Sequence, residues 1–342
     1  MTDADPTLSP SRPLCRRRWR RALLAAALVI LALLVAGELV ARYHLGLGDP
    51  PLSMDDPDMK YRFLPNQDGW RCGNHYHYNQ WSMRCDDFPL HKTDPRELRV
   101  LMIGDSVING GALTDQNNLA SHLLQERLAA DLHRPTLVGN ISAGSWQPVS
   151  EYMYLKRFGL FDADVLVVVV NSADYSEILP PYPPTAGIRP DMPAHKPWCA
   201  LSDGFFRYFL PRISGGSAEP IGPPPAAGDL EARQIAWSQA CLRDMIQLGR
   251  RAGCPVIVAQ YLDRDEATTG RLQPGYAVNR QTALEAGATL VNLGPAFTAA
   301  AMQGMAPYRD FIHPNAYGQD LMARALLPVI ESALAPPAAT RP

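Results

Sequence analysis

Residues Asp164 to Val170 read Asp-Val-Leu-Val-Val-Val-Val, a run so uniformly apolar and β-branched that a strand formed from it can turn neither face to water. Strands covered on both faces belong to parallel sheets with helices packed above and below. The surrounding sequence repeats the theme. Short apolar runs at Val100–Ile103, Thr136–Ile141, Pro255–Tyr261 and Thr289–Leu293 predict four more strands. Between them, Leu119–Leu132 carries apolar residues at helical spacing (Leu119, Leu123, Leu124, Leu128, Leu132), and Tyr152–Phe158, Leu230–Ala252, Asn279–Ala286 and Ala316–Leu334 read as further helices. Five strands alternating with helices predict one α/β domain, residues 96–335, built on a five-stranded parallel sheet.

One segment breaks the alternation. Prolines recur from Pro180 to Pro225 within residues 176–228, each fixing φ and removing a backbone donor, so regular helix or central strand is excluded over most of this insertion. It follows the third strand and is expected to overhang the carboxyl edge of the sheet. Phe205, Phe206, Tyr208 and Phe209 form its one apolar cluster, which reads as a packing anchor. Residues 42–95 mix Pro, Asp, Asn and aromatics without sustained periodicity, as expected of a spacer and irregular cap.

Ahead of the cap, Arg12, Arg16, Arg17, Arg18, Arg20 and Arg21 precede an apolar stretch, residues 22–41, in which Glu38 is the only charge. About 20 apolar residues suffice for a helix to cross a bilayer. The stretch exceeds the apolar core of a cleaved signal peptide and has no clean small-x-small cleavage site. The arginines predict a cytoplasmic basic tail, residues 1–21, an inner-membrane signal anchor and a periplasmic remainder ending in a tail at 336–342. A formal charge of -2 gives no basis for a nucleic-acid partner. In that oxidising space Cys72 and Cys85 could form a disulfide, or join His75 and His77 in a metal site; the latter lacks a Cys-x-x-Cys knuckle. Cys199, Cys241 and Cys254 leave an odd thiol whose pairing spacing does not fix.

Two short blocks carry chemistry. Gly104-Asp105-Ser106 follows the first strand, where an open α/β sheet presents ligands, and Asp310-Phe311-Ile312-His313-Pro314 precedes the last helix. An aspartate can orient a histidine ring that takes a proton from a serine. These blocks, at opposite ends of an α/β region from Arg96 to Leu334, resemble the SGNH/GDSL hydrolase superfamily. The resemblance implies a flavodoxin-like three-layer α/β/α sandwich, here following the one transmembrane helix read from residues 22–41. It implies Ser106 as nucleophile, His313 as general base and then acid, and Asp310 as the group orienting His313, with no metal or organic cofactor.

The resemblance also implies an oxyanion hole formed by the Ser106 N–H, by Gly144 in the Asn140-Ile141-Ser142-Ala143-Gly144 block, and by an asparagine after the third strand. That third block departs from the family pattern: it reads Asn171-Ser172-Ala173-Asp174, with alanine in the donor position. Asn171 either replaces the donor, since it faces the same way as residue 173, or caps the strand end. Asp105 and Asp174 read as structural carboxylates, Asn109 as a possible substrate contact, and Trp146 as a site wall or packing residue. The implied activity is hydrolysis of acyl esters, with acetyl the expected acyl group, on a carbohydrate or other envelope polymer. The alternatives are acyl transfer to an exopolysaccharide, or a catalytically weak polysaccharide-binding subunit.

Overall fold

The structure, a computed structural model, describes residues 13–335 except Phe88, Pro190, Asp191 and residues 214–227. Most of the basic tail, part of the Pro-rich insertion and the segment 336–342 therefore lie outside the described residues. In chain order the elements are α1 (Pro13–Tyr43), β1 (Ser53–Asp56), β2 (Lys60–Phe63), β3 (Gln67–Arg71), β4 (Asn74–Tyr78), β5 (Leu98–Gly104), α2 (Ser106–Asn109), α3 (Ala120–Leu132), β6 (Thr136–Ser142), α4 (Pro148–Phe158) and β7 (Val165–Val170). The second half holds α5 (Ala200–Gly204), α6 (Leu210–Ile213), α7 (Asp229–Arg251), β8 (Val256–Gln260), α8 (Arg264–Thr269), α9 (Pro274–Glu285), β9 (Thr289–Asn292), α10 (Gly294–Met302) and α11 (Ala316–Leu334).

Strands β5 to β9 form one parallel sheet in the order β6-β5-β7-β8-β9. The side-chain period of two divides β7 between the two faces. Val165, Val167 and Val169 pack with Leu124 and Leu128 of α3 and Met322, Leu326 and Ile330 of α11. Leu166, Val168 and Val170 pack with Tyr154 and Leu155 of α4 and Leu242, Met245 and Ile246 of α7. Fully burying a Val or Leu contributes about 1.5–3 kcal/mol, so this strand alone is a large part of the sheet's stability. The chain runs from β5 outward to β6 and then returns across to β7, which makes the carboxyl ends of β5 and β7 the topological switch point, where α/β sheets open a crevice.

α1 contains one stretch, Arg17–Tyr43, long and apolar enough to cross a membrane. At 1.5 Å per residue it spans about 40 Å, against about 30 Å for a bilayer's hydrocarbon core. Its last turns touch the insertion: Glu38 Oε1 and Oε2 accept hydrogen bonds from the Ala200 and Leu201 N–H groups at 2.9 and 3.0 Å.

The cap is more regular than expected, since β1–β2 and β3–β4 are two antiparallel hairpins. The sequence signal was present in β4, where His75 and His77 alternate with the buried Tyr76 and Tyr78. The β3–β4 turn is the pair Cys72-Gly73, both at positive φ (53° and 78°), as a tight hairpin with right-handed strand twist requires. This turn holds Cys72 exposed at the tip, whereas Cys85 is buried and accepts a weak hydrogen bond from Asn79; both are free thiols, so the disulfide considered from sequence is not formed. Among the described residues the four metal-site candidates do not form a metal-binding group either: His75 and His77 turn to the Asp68 carboxylate at 3.0 Å, while Cys85 is buried against Asn79. The insertion also departs from expectation between Pro197 and Pro211, where α5, a π turn at Phe205–Phe209 and α6 run on as helix.

The cap shares the sheet's core through Met59, Tyr61 and Met83. Its buried Arg84 reaches beneath the loop after α2, donating to the carbonyls of Asn109, Gly111 and, at 2.7 Å, Thr114. Losing a buried charged donor that satisfies several carbonyls typically costs a few kcal/mol. We expect Arg84→Met to lower the unfolding free energy by about 3–5 kcal/mol, read as a lower urea midpoint with an unchanged slope.

Candidate active site

β5 ends at Gly104 and the chain turns at once into the single-turn helix α2, whose first residue is Ser106. Asp105 makes the sharp turn possible by accepting the Val107 N–H at 2.8 Å, satisfying a donor that the helix start leaves open. Gln319 of α11 holds the same segment from the other side, donating to the Val107 carbonyl at 2.7 Å and accepting the Ala120 N–H at 3.0 Å.

His313 is delivered by the loop between α10 and α11. The loop is clamped where Arg309 N–H donates to the His313 carbonyl at 2.9 Å and where the buried Tyr261 hydroxyl donates to the Ile312 carbonyl at 2.6 Å. The Arg309 side chain crosses to the Gly110 carbonyl at 3.0 Å and so ties the histidine loop to the serine loop.

These supports bring Ser106 together with His313, 207 residues away in sequence, and with Asp310 three residues before it. His313 Nε2 lies 2.9 Å from Ser106 Oγ, and His313 Nδ1 lies 2.8 Å from Asp310 Oδ2. Asp310 also accepts the His313 and Ile312 N–H groups at 2.8 and 3.0 Å. Burial pushes its carboxyl upward, but these hydrogen bonds and the neighbouring ring outweigh that, holding it below the usual carboxylate range. An ionised Asp310 fixes the tautomer with hydrogen on Nδ1, which leaves Nε2 free to accept the serine proton.

Gly144 lies on the loop after β6, pinned by the cap. The Tyr61 hydroxyl donates to the Gly144 carbonyl at 2.9 Å, Lys60 to the Ser145 carbonyl at 2.8 Å, and the Trp146 indole to the Tyr61 carbonyl at 2.8 Å. A Cβ at residue 144 would meet the Tyr61 hydroxyl at 3.1 Å, a close approach that favours glycine. Among the described residues, no intramolecular hydrogen bond engages the Ser106 or Gly144 N–H, leaving both amides available to a ligand oxygen.

Asn171 takes the capping geometry of the two readings left open by the sequence. Its Oδ1 accepts the Ala173 N–H at 2.7 Å, while Nδ2 donates to Asp105 at 3.1 Å and to Asp174 at 3.2 Å. Both amide hydrogens are thereby engaged by carboxylates. Asp105 and Asp174 also accept backbone hydrogens of their own turns, from the Val107 N–H at 2.8 Å and the Asn171 N–H at 2.7 Å. Asn109 is buried and donates to Ser142, and Trp146 is buried in the core, so packing and loop support account for both. One side chain the sequence reading missed is Gln147, which reaches Ala173 and donates to its carbonyl at 3.3 Å.

Behind the site lies a buried acidic group: Asp105, Glu151 and Asp174, with Glu177 paired to Lys60 at 2.7 Å. Burial raises the Asp105 carboxyl to about 6, against the Val107 N–H bond that lowers it. Burial, with repulsion from Asp105, raises Glu151 well above its ordinary value, and neither Glu151 oxygen has a partner among the described residues.

The sequence of residues 102–321 matches the GDSL-like lipase/acylhydrolase family. The chain belongs to that family of ester-hydrolysing enzymes. No curated protein matches it in sequence. Similar solved structures include LAE5, an alpha/beta hydrolase enzyme from the metagenome of Lake Arreo, Spain (15% identity, 71% of this chain and 97% of that one, TM-score 0.42). The acetyl xylan esterase AlAXEase (15%, 68% and 100%, TM-score 0.43) and the acetylxylan esterase Axe2 from Geobacillus stearothermophilus (14%, 72% and 98%, TM-score 0.39) are two more.

The acidic group makes stability depend on pH in a definite direction. Glu151 binds its proton more tightly in the folded than in the unfolded state, so its favourable contribution is complete below about 4.5 and is lost as pH rises through the folded value. Glu151→Gln should therefore melt above wild type near pH 8, with the gap closing toward about pH 5, as followed by calorimetry across that range.

Proposed function

We propose that the protein is an extracytoplasmic serine esterase, held at the inner membrane by α1, that removes acyl groups from esters of a carbohydrate or envelope polymer. The observation carrying the catalytic part is the continuous hydrogen-bonded relay from Ser106 Oγ through the His313 ring to Asp310. Outward orientation is supported by the arginines before the apolar stretch. The polymer is the ester source that an anchored enzyme on that side of the membrane meets, and acetyl is the acyl group proposed.

In this reading Ser106 Oγ attacks the acyl carbonyl while its proton passes to His313 Nε2. The Ser106 and Gly144 N–H groups hold the resulting oxyanion, the charge that most of the rate enhancement must stabilise. His313 returns the proton to the departing alkoxide, leaving an acyl-enzyme. Water then attacks the acyl-enzyme with His313 as base, and the acid and Ser106 are released. Asn171 enters this scheme by bracing the turn through Asp105, its amide being committed there.

A fluorophosphonate probe applied to the full chain in detergent tests the nucleophile without knowledge of the substrate. Wild type should be labelled at Ser106, Ser106→Ala should not be labelled, and Asp310→Asn should lose about 10⁴-fold in acyl-ester turnover. An unlabelled wild type would sink the reading. Ala173→Asn restores the side chain that the family pattern places there, and should raise kcat by up to about 10²-fold with little change in KM.

A further inference from the structure

The helical run from Ala200 to Ile213 is amphipathic in the reverse sense to a surface helix of a soluble domain. Its inward side is small or polar: Ala200 is fully buried, a Cβ on Gly204 would touch Leu47, and the buried Asp203 carboxylate accepts from Arg71 at 2.7 Å and from the Gly48 N–H at 3.0 Å. Its outward side is apolar, with Leu201, Phe205, Phe206, Phe209, Leu210 and Ile213 exposed. Phe206 and Ile213 are each 62% exposed, and Trp198, just before the helix, is 87% exposed. The aromatic cluster expected to anchor packing therefore faces away from the protein, with only Tyr208 turned in to meet Arg71 at 3.0 Å.

The position of this run says what covers it. Glu38 of α1 caps its first turn through the Ala200 and Leu201 N–H groups, and Gly37 lies against the Leu201 side chain. The run is thus fastened to α1 three residues before the apolar stretch ends at Ala41, about 5 Å along the helix axis. Tryptophan and phenylalanine at that depth meet the headgroup boundary, where a helix with an apolar outer face lies in the membrane plane.

We propose that residues Trp198–Ile213 form a second membrane contact, an interfacial segment whose apolar face enters the outer leaflet beside α1. The proposal rests on the reading of α1 as a membrane anchor. Two attachment points, one spanning and one lying flat, fix the rotation of the sheet relative to the bilayer, which a single helix would leave free.

The test places a benzoylphenylalanine photoprobe at Phe206, Phe209, Leu31 in α1, or Met302, which is exposed on α10. The full chain is reconstituted in vesicles of phosphatidylethanolamine and phosphatidylglycerol, and fluorophosphonate labelling checks that each variant is folded. Lipid adducts at 206 and 209 within a few-fold of those at 31, and about tenfold above those at 302, are expected. Adducts at 31 without adducts at 206 and 209 overturn the interfacial segment and leave the anchor standing. Adducts at 206 and 209 without adducts at 31 retain the interfacial surface and remove the anchor. Crosslinks from 206 or 209 to protein in place of lipid overturn the proposal in favour of a protein interface.

Discussion

The hydrogen bonds from the Asn171 amide to Asp105 and Asp174 fasten together the two strand ends on which the site is built. β5 and β7 are neighbours in the sheet, but the chain must diverge at their carboxyl ends to open a crevice. A buried amide between two carboxylates holds that divergence at a fixed width. It also accepts the Ala173 N–H, so one side chain closes the turn after β7 while bracing the turn that presents Ser106. The acidic partners carry a cost, since desolvation raises Asp105 and Asp174, and the stability of this corner is tied to their protonation.

Around that corner, each reactive loop has its own external support. Arg84 and Gln319 hold the serine loop, Lys60, Tyr61 and Trp146 hold the Gly144 loop, and Arg309 and Tyr261 hold the histidine loop. Most of these bonds end on backbone carbonyls, so they fix the course of the main chain without occupying the reactive groups. Rigid placement of this kind is what the proposed nucleophile, base and oxyanion donors require, since a displacement of about 1 Å can cost 10²-fold in rate.

What could be read in advance follows from how local each signal is. Strands β5 to β8 were legible because their burial is encoded residue by residue, as in Val165–Val170, and the partly exposed β9 by its short apolar run; Ser106 and His313 were legible because their turn residues stand beside them. Arg84 and Gln147 were not, since a buried arginine and a partly exposed glutamine have no local grammar; their roles exist only once distant carbonyls arrive. The helix between Pro197 and Pro211 was hidden by averaging over a Pro-rich segment, although the thirteen residues between those prolines contain none. Asn171 was undecided for a different reason. Strand periodicity tells which way a side chain points but not which of several nearby carboxylates will take its hydrogens.

The hairpins that precede the sheet contribute Tyr61 to the same core as Ile103 and Val168 and send Lys60 to the loop carrying Gly144, while the segment after β4 sends Arg84 to the loop following Ser106. A chain severed at the start of β5 would retain every strand of the sheet and every member of the Ser-His-Asp relay. It would also leave three carbonyls of the serine loop unsatisfied and open the floor under Gly144. The smallest unit that can work is consequently set by the hairpins and not by the sheet. A cleavage that separates α1 from the rest of the chain and spares the hairpins must fall between the end of α1 and Ser53, a window of nine residues from His44 to Leu52.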